Sequence, residues 1–96
     1  MYFIDLSLRN LTQGYVDSIA LIADVVGAPE IYRLRDEAER LAAIDSDDSM
    51  EALDDIIAKS EDIAADYGFH ASAYEGFQYV MTHDEFDIWW ANHEVG

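Results

Sequence analysis

Carboxylates dominate the side chains of this sequence that could do chemistry. Asp54/Asp55 and Glu61/Asp62 are adjacent pairs of the residue type used in general acid–base catalysis. Such catalysis needs two carboxyls converging in an apolar cleft that sets their proton affinities apart. Neighbours on a helix diverge by about 100°, and these pairs fall on the polar side of an amphipathic stretch, where they point to water. The run 45–49, Asp-Ser-Asp-Asp-Ser, has the oxygen density of a calcium loop. Counting from Asp45, however, Met50 falls where the turn glycine belongs and Ile56 where the bidentate glutamate belongs, so the run reads as a solvated, helix-capping loop. His83 and Asp87 are four residues apart, His93 follows and His70 stands alone. This is no HExxH-type spacing, and no metal is expected. The histidines read as surface groups beside acids, with raised pKa values expected. No glycine-rich phosphate loop, nucleophile elbow or Ser/His/Asp grouping is present. The chain is not expected to be an enzyme or to hold a cofactor.

What remains is charge in a pattern. Asp47, Asp48, Glu51, Asp54, Asp55, Glu61, Asp62 and Asp66 recur at helical spacing, with Lys59 the single base among them. From Asp48 to Asp66 a helix rises ~27 Å, comparable with about eight base-pair steps of duplex. Carboxylates three or four apart stand ~5–6 Å from each other and oppose helix formation. Folding alone therefore does not favour the pattern.

The 96 residues hold 21 acids against 5 bases, a formal net charge of −16. The 51% hydrophobic and 12% aromatic content is too rich for a disordered acidic tail, so one globular domain, 1–96, is expected. Residues 1–44 carry seven acids and four arginines, net −3; residues 45–96 carry fourteen acids and Lys59, net −13. With no basic patch, direct binding to nucleic acid or to an anionic membrane is not expected. The absence of cysteine excludes a disulfide framework and thiolate zinc sites. Nothing near the N-terminus reads as a signal peptide, and the apolar run near 19–23 is far short of a bilayer span. The expected location is the cytoplasm.

The elements that would position these residues follow from periodicity. Tyr2, Ile4, Leu6 and Leu8 alternate with Phe3, Asp5, Ser7 and Arg9, a half-buried strand. Asn10 or Thr12 caps a helix to about Val26, ended by Gly27; its stripe includes Tyr15, Ile19, Ile22 and Val26. Pro29 opens a second helix to about Ile44, with Ile31, Leu34, Ala38, Leu41 and Ala42 on its buried side. Asp48 with Glu51 reads as the capping box of a third helix over 49–67. Leu53, Ile56, Ile57, Ser60, Ile63, Ala64 and Tyr67 form its stripe, and Gly68 stops it. Residues 69–74 and 77–82 read as a hairpin turned at Glu75–Gly76, or else Ser72 to Glu75 caps a short helix; the strand at 1–8 needs a partner, which favours the hairpin. Thr82 to Glu85 is a capping box for a last helix to about His93, with Phe86, Trp89, Trp90 and His93 on one side. The expected fold class is α+β: a mainly helical small single domain with an N-terminal strand and a short hairpin near 69–82.

Eight of the twelve aromatics lie between Tyr67 and Trp90. They supply core, or Trp89 and Trp90 form an exposed anchor of the kind enriched at interface hot spots. Three explanations compete for the charge: a nucleic-acid mimic, a halophilic cytosolic domain, and a generic acidic surface for solubility. The last overshoots the net charge of about 2–8 usual for a small domain. Halophilic acidity should coat the whole surface, whereas the first half is nearly balanced.

In size, missing cysteine, richness in Ala, Asp and Glu and scarcity of lysine, the chain resembles small acidic inhibitors carried by phages and mobile elements. These include anti-CRISPR proteins and anti-restriction DNA mimics. Residues 45–66 and 84–94 carry the resemblance, which is one of character rather than of motif. It implies a stoichiometric inhibitor in the host cytoplasm that occupies the basic DNA- or RNA-binding surface of a bacterial defence complex. The eight acids from Asp47 to Asp66 would face the partner's lysines and arginines, with Trp89 or Trp90 as apolar anchor. The alternatives are an acidic interaction module such as an antitoxin, a small homodimer burying the tryptophans, or a halophilic domain.

Overall fold

The chain enters its first helix through an asparagine. Asn10 is extended, and its Oδ1 accepts the backbone N–H of Gln13 at 2.8 Å, starting α1 (Leu11–Val26). Gly27, at φ +74°, ends it in the left-handed conformation that costs glycine least, its N–H returning to the carbonyl of Ala23. Two residues later Pro29 opens α2 (Pro29–Ile44), where its missing N–H is no loss. The computed structural model describes residues 1–44 and 46–95, with side chains through Asn92. Asp45 of the acidic run and the side chains of His93 and Glu94 lie outside the described residues.

The third helix, α3 (Asp47–Asp66), begins two residues earlier than the sequence suggests. Its cap is Ser46, not Asp48: Ser46 Oγ accepts the N–H of Ser49 at 3.2 Å and lies 3.0 Å from Ser49 Oγ. Ser49 is buried, so this pairing sits inside the helix junction. At the other end Tyr67 does not join the buried stripe. The helix has stopped at Asp66, Tyr67 is 49% exposed, and its hydroxyl donates to the Glu30 carboxylate at 3.2 Å.

The remainder is β1 (Tyr2–Asp5), β2 (Phe69–Tyr74), β3 (Phe77–Thr82) and α4 (His83–Val95). The strands form an antiparallel sheet in the order β1-β3-β2. Glu75 and Gly76 both have positive φ, +50° and +84°, so the hairpin closes in a two-residue turn that matches strand twist. The capping box of α4 is reciprocal: Thr82 N–H donates to Glu85 Oε1 at 3.0 Å and Glu85 N–H to Thr82 Oγ1 at 3.1 Å. The chain is thus an α+β domain, 68% helical.

Strand pairing decides which residues share a face. Ala71 and Val80 pack with Ile22, Ala23, Ala28, Ile31 and Ala64 beneath the three long helices. A second cluster, Val16, Ile19, Ala38, Leu53 and Ile56, joins those helices to one another. The opposite face of the sheet carries Phe3, His70, Tyr74, Phe77, Tyr79 and Met81 and receives α4. Leu8, 85% exposed, lies beyond β1, which ends at Asp5 rather than continuing its alternation.

Candidate partner-binding surface

Seen down its axis, α3 has two unlike sides. Leu53, Ile56, Ser60 and Ala64 are buried on one, and Asp47, Asp48, Glu51, Asp55, Asp62 and Asp66 are exposed on the other. At ~100° per residue, the last five of these acids fall within a sector of about 60°. Among the described residues the ion pairs lie elsewhere: the Met1 amino group with Glu85 at 2.7 Å, Arg9 with Asp17 at 2.5 Å, and Arg35 with Asp36 at 3.4 Å. Lys59 sits at the groove between α2 and α3, beside Glu30 and Arg33. Asp47 and Asp48 favour the helix N-terminus, where the backbone dipole is positive. Asp66 is at the unfavourable end, in a last turn without a basic residue.

The second row is not equivalent to the first. Asp54 is exposed but accepts a hydrogen bond from the Tyr15 hydroxyl at 3.3 Å, tying α3 to α1. Burial of the phenol, then the Asp54 charge, raises the pKa of Tyr15. Glu61 is half-buried at the boundary of the polar side. Burial, followed by the charges of Asp62 and Asp54, pushes its carboxyl up to about 7. Near neutral pH it therefore carries only part of a charge.

Trp89 and Trp90 belong to a different surface. Trp89 is half-buried against Tyr74 and Tyr79, with ring centroids 5.6 and 5.4 Å away. Trp90 stacks on Phe86 at 6.1 Å and remains 41% exposed. Phe86 in turn stacks on His70 at 3.7 Å. Since α3 packs on the inner face of the sheet and α4 on the outer, the acids and the tryptophans do not converge. His70 also corrects an expectation: burial first, then the nearby His83, lowers its pKa rather than raising it. Among the described residues no group of three or more His, Asp or Glu is placed to hold a metal ion.

Glu85 has a structural part that the acidic pattern did not mark. Its carboxyl is held at about 2 by hydrogen bonds from the N-terminal ammonium and the Thr82 N–H. It thereby fastens the start of the chain to the start of α4. Tyr15, Tyr67 and Glu30 likewise connect helices through phenol–carboxylate bonds. Their only trace in the sequence is an aromatic at the rim of each apolar stripe. No protein-family model, curated protein or solved structure matches the chain. No helix among the described residues is long and apolar enough to cross a membrane.

Proposed function

We propose that the protein is a non-enzymatic inhibitor that mimics nucleic acid. In this reading α3 is laid against the basic DNA- or RNA-binding surface of a partner complex, of the kind found in bacterial defence systems. The observation that carries the proposal is the row of exposed carboxylates on α3, free of ion pairs among the described residues and ~27 Å long. Such a row steers a basic groove toward itself and replaces the phosphates that groove would otherwise bind. Because the charges are unpaired before binding, no internal salt bridge has to break first.

The test is charge reversal at the centre of the row. Asp55→Lys with Asp62→Lys should weaken capture of a basic nucleic-acid-binding complex by about a hundredfold while the circular dichroism spectrum stays unchanged. Unaltered affinity would remove the proposal. A second reading, a module that self-associates through the outer aromatic face, is favoured by the exposure of Phe3 and Trp90 at 55% and 41%. Sedimentation across micromolar concentrations separates the two, since a monomer throughout removes the dimer.

A further inference from the structure

Where β1 runs into α1, the fold leaves a cleft of about 310 Å³ that the acidic surface does not use. Leu6, Leu11, Tyr15, Ile57 and Ala73 give it largely apolar walls. Its size is at the lower end of small-molecule sites, about 300–1,000 Å³. Two independent observations point to an occupant. Gln78, the second residue of β3, is fully buried and forms part of the wall. Its Nε2 donates to the Tyr79 carbonyl at 3.1 Å, but its Oε1 is shut off from solvent with no partner. An unmet buried acceptor is costly, and the broad terminal torsion of glutamine lets the amide turn Oε1 toward a donor brought into the cleft, loosening the Nε2 bond to Tyr79 in exchange.

The second observation is Gly14, buried inside α1 and lining the same cleft. A β-carbon there would meet nothing nearer than Leu6 Cδ2 at 3.9 Å, and its φ is not positive. Neither close packing nor backbone conformation requires glycine at this position, where it weakens the helix. Glycine leaves this stretch of the cleft wall bare, where a long side chain would project into it. Arg9 braces the mouth, donating through Nε to Asp17 at 2.5 Å and through Nη1 to the Asp5 carbonyl. With that cation already paired, the cleft presents no unmatched charge.

We propose that this cleft binds a small, neutral, largely apolar molecule with one N–H or O–H donor, of about the size of an indole, which donates to Gln78 Oε1. The site meets the acidic side only through Tyr15, whose hydroxyl donates to Asp54, and its test does not depend on partner binding. Titration of the whole chain with indole, and with 1-methylindole, which lacks the donor, followed by 1H–15N NMR, tests it. Saturable shifts are expected at Gly14, Ile57 and the Gln78 side-chain amide, with indole bound about tenfold tighter than its methylated analogue. Gln78→Leu should erase that preference, and Gly14→Leu should exclude both probes. Gly14→Ala adds one methyl into open space and should fold and weaken indole several-fold, which keeps the test decisive if leucine disrupts α1. Absence of saturable shifts, shifts confined to residues outside the cleft, or equal affinity for the two probes would overturn the proposal.

Discussion

Helices α2 and α3 flank α1 with very different surfaces. Both pack against α1, and each buries residues with no exposed surface, Ile31 and Ala38 on α2, Leu53 and Ala64 on α3. On α2 four acids are mixed with Arg33, Arg35 and Arg40. On α3 eight acids face one lysine. Packing buries more of α3, which also lies on the sheet, but it concerns the apolar side and does not account for the charge on the solvent side. Mixed charges give α2 favourable neighbours three and four residues away, whereas α3 has like charges at the same spacing. The contrast leaves like-charge repulsion on α3 as a cost to folding, and the proposed basic partner rests on that feature.

The largest effect tests the equivalence of the two helices. Ile31→Ala and Leu53→Ala should each lower unfolding free energy by about 2–5 kcal/mol, measured by urea denaturation. Widely different losses would mean that α2 and α3 are not comparable core partners. On the solvent side the expectation diverges. Reversals on α2, such as Glu37→Lys with Glu39→Lys, should leave partner affinity nearly unchanged, whereas Asp55→Lys with Asp62→Lys should weaken it by about a hundredfold. Equal losses from both pairs would reduce the claim to one about net charge alone.

Glu61 supplies a pH-dependent test. Its folded carboxyl titrates at about 7 against 4.5 for the ordinary group, so the unfolded chain releases this proton more easily. The stabilisation from the protonated form is complete below about pH 4.5 and is lost as pH rises through 7. Glu61→Gln should therefore flatten this part of the stability profile and stabilise the chain near pH 8. A gain of about 1 kcal/mol is expected once solvent screening of a half-exposed group is allowed for. The smallest effects come from the repulsion itself. Asp62→Lys alone should gain about 0.2–0.5 kcal/mol per relieved pair, and the melting temperature should rise modestly as salt shortens the screening length. A chain that folded only in molar salt would favour the halophilic reading instead.

Local chemistry made most elements legible from sequence. Asn10, Gly27, Pro29, the Glu75–Gly76 turn and the Thr82–Glu85 box each satisfy backbone groups through near neighbours, so their signals are short-range. The start of α3 was misplaced at Asp48, a residue type that caps helices as readily as the Ser46 that does so. Burial of Ser49, a tertiary matter, selects Ser46. The alternation of Phe77, Tyr79 and Met81 announced a strand but not which side would meet the helices. Pairing with β1 turned Gln78 and Val80 inward and left the aromatics for α4. Likewise the spacing of the acids located the polar side of α3, yet only the packed structure separates six exposed carboxylates from Asp54, exposed but tethered to Tyr15, and from the half-buried Glu61. The distance between the acids and the tryptophans was invisible for the same reason: it is set by which face of the sheet each helix covers.

Competition reports on the central claim most directly. The protein is immobilised, a bacterial extract carrying nucleic-acid-binding defence complexes is passed over it, and short duplex DNA is added to the retained fraction. A nucleic-acid mimic gives a retained complex that DNA releases and that moderate salt releases as well, with much weaker retention by the Asp55→Lys, Asp62→Lys form. Retention that neither DNA, salt nor the reversed charges disturb would contradict that claim.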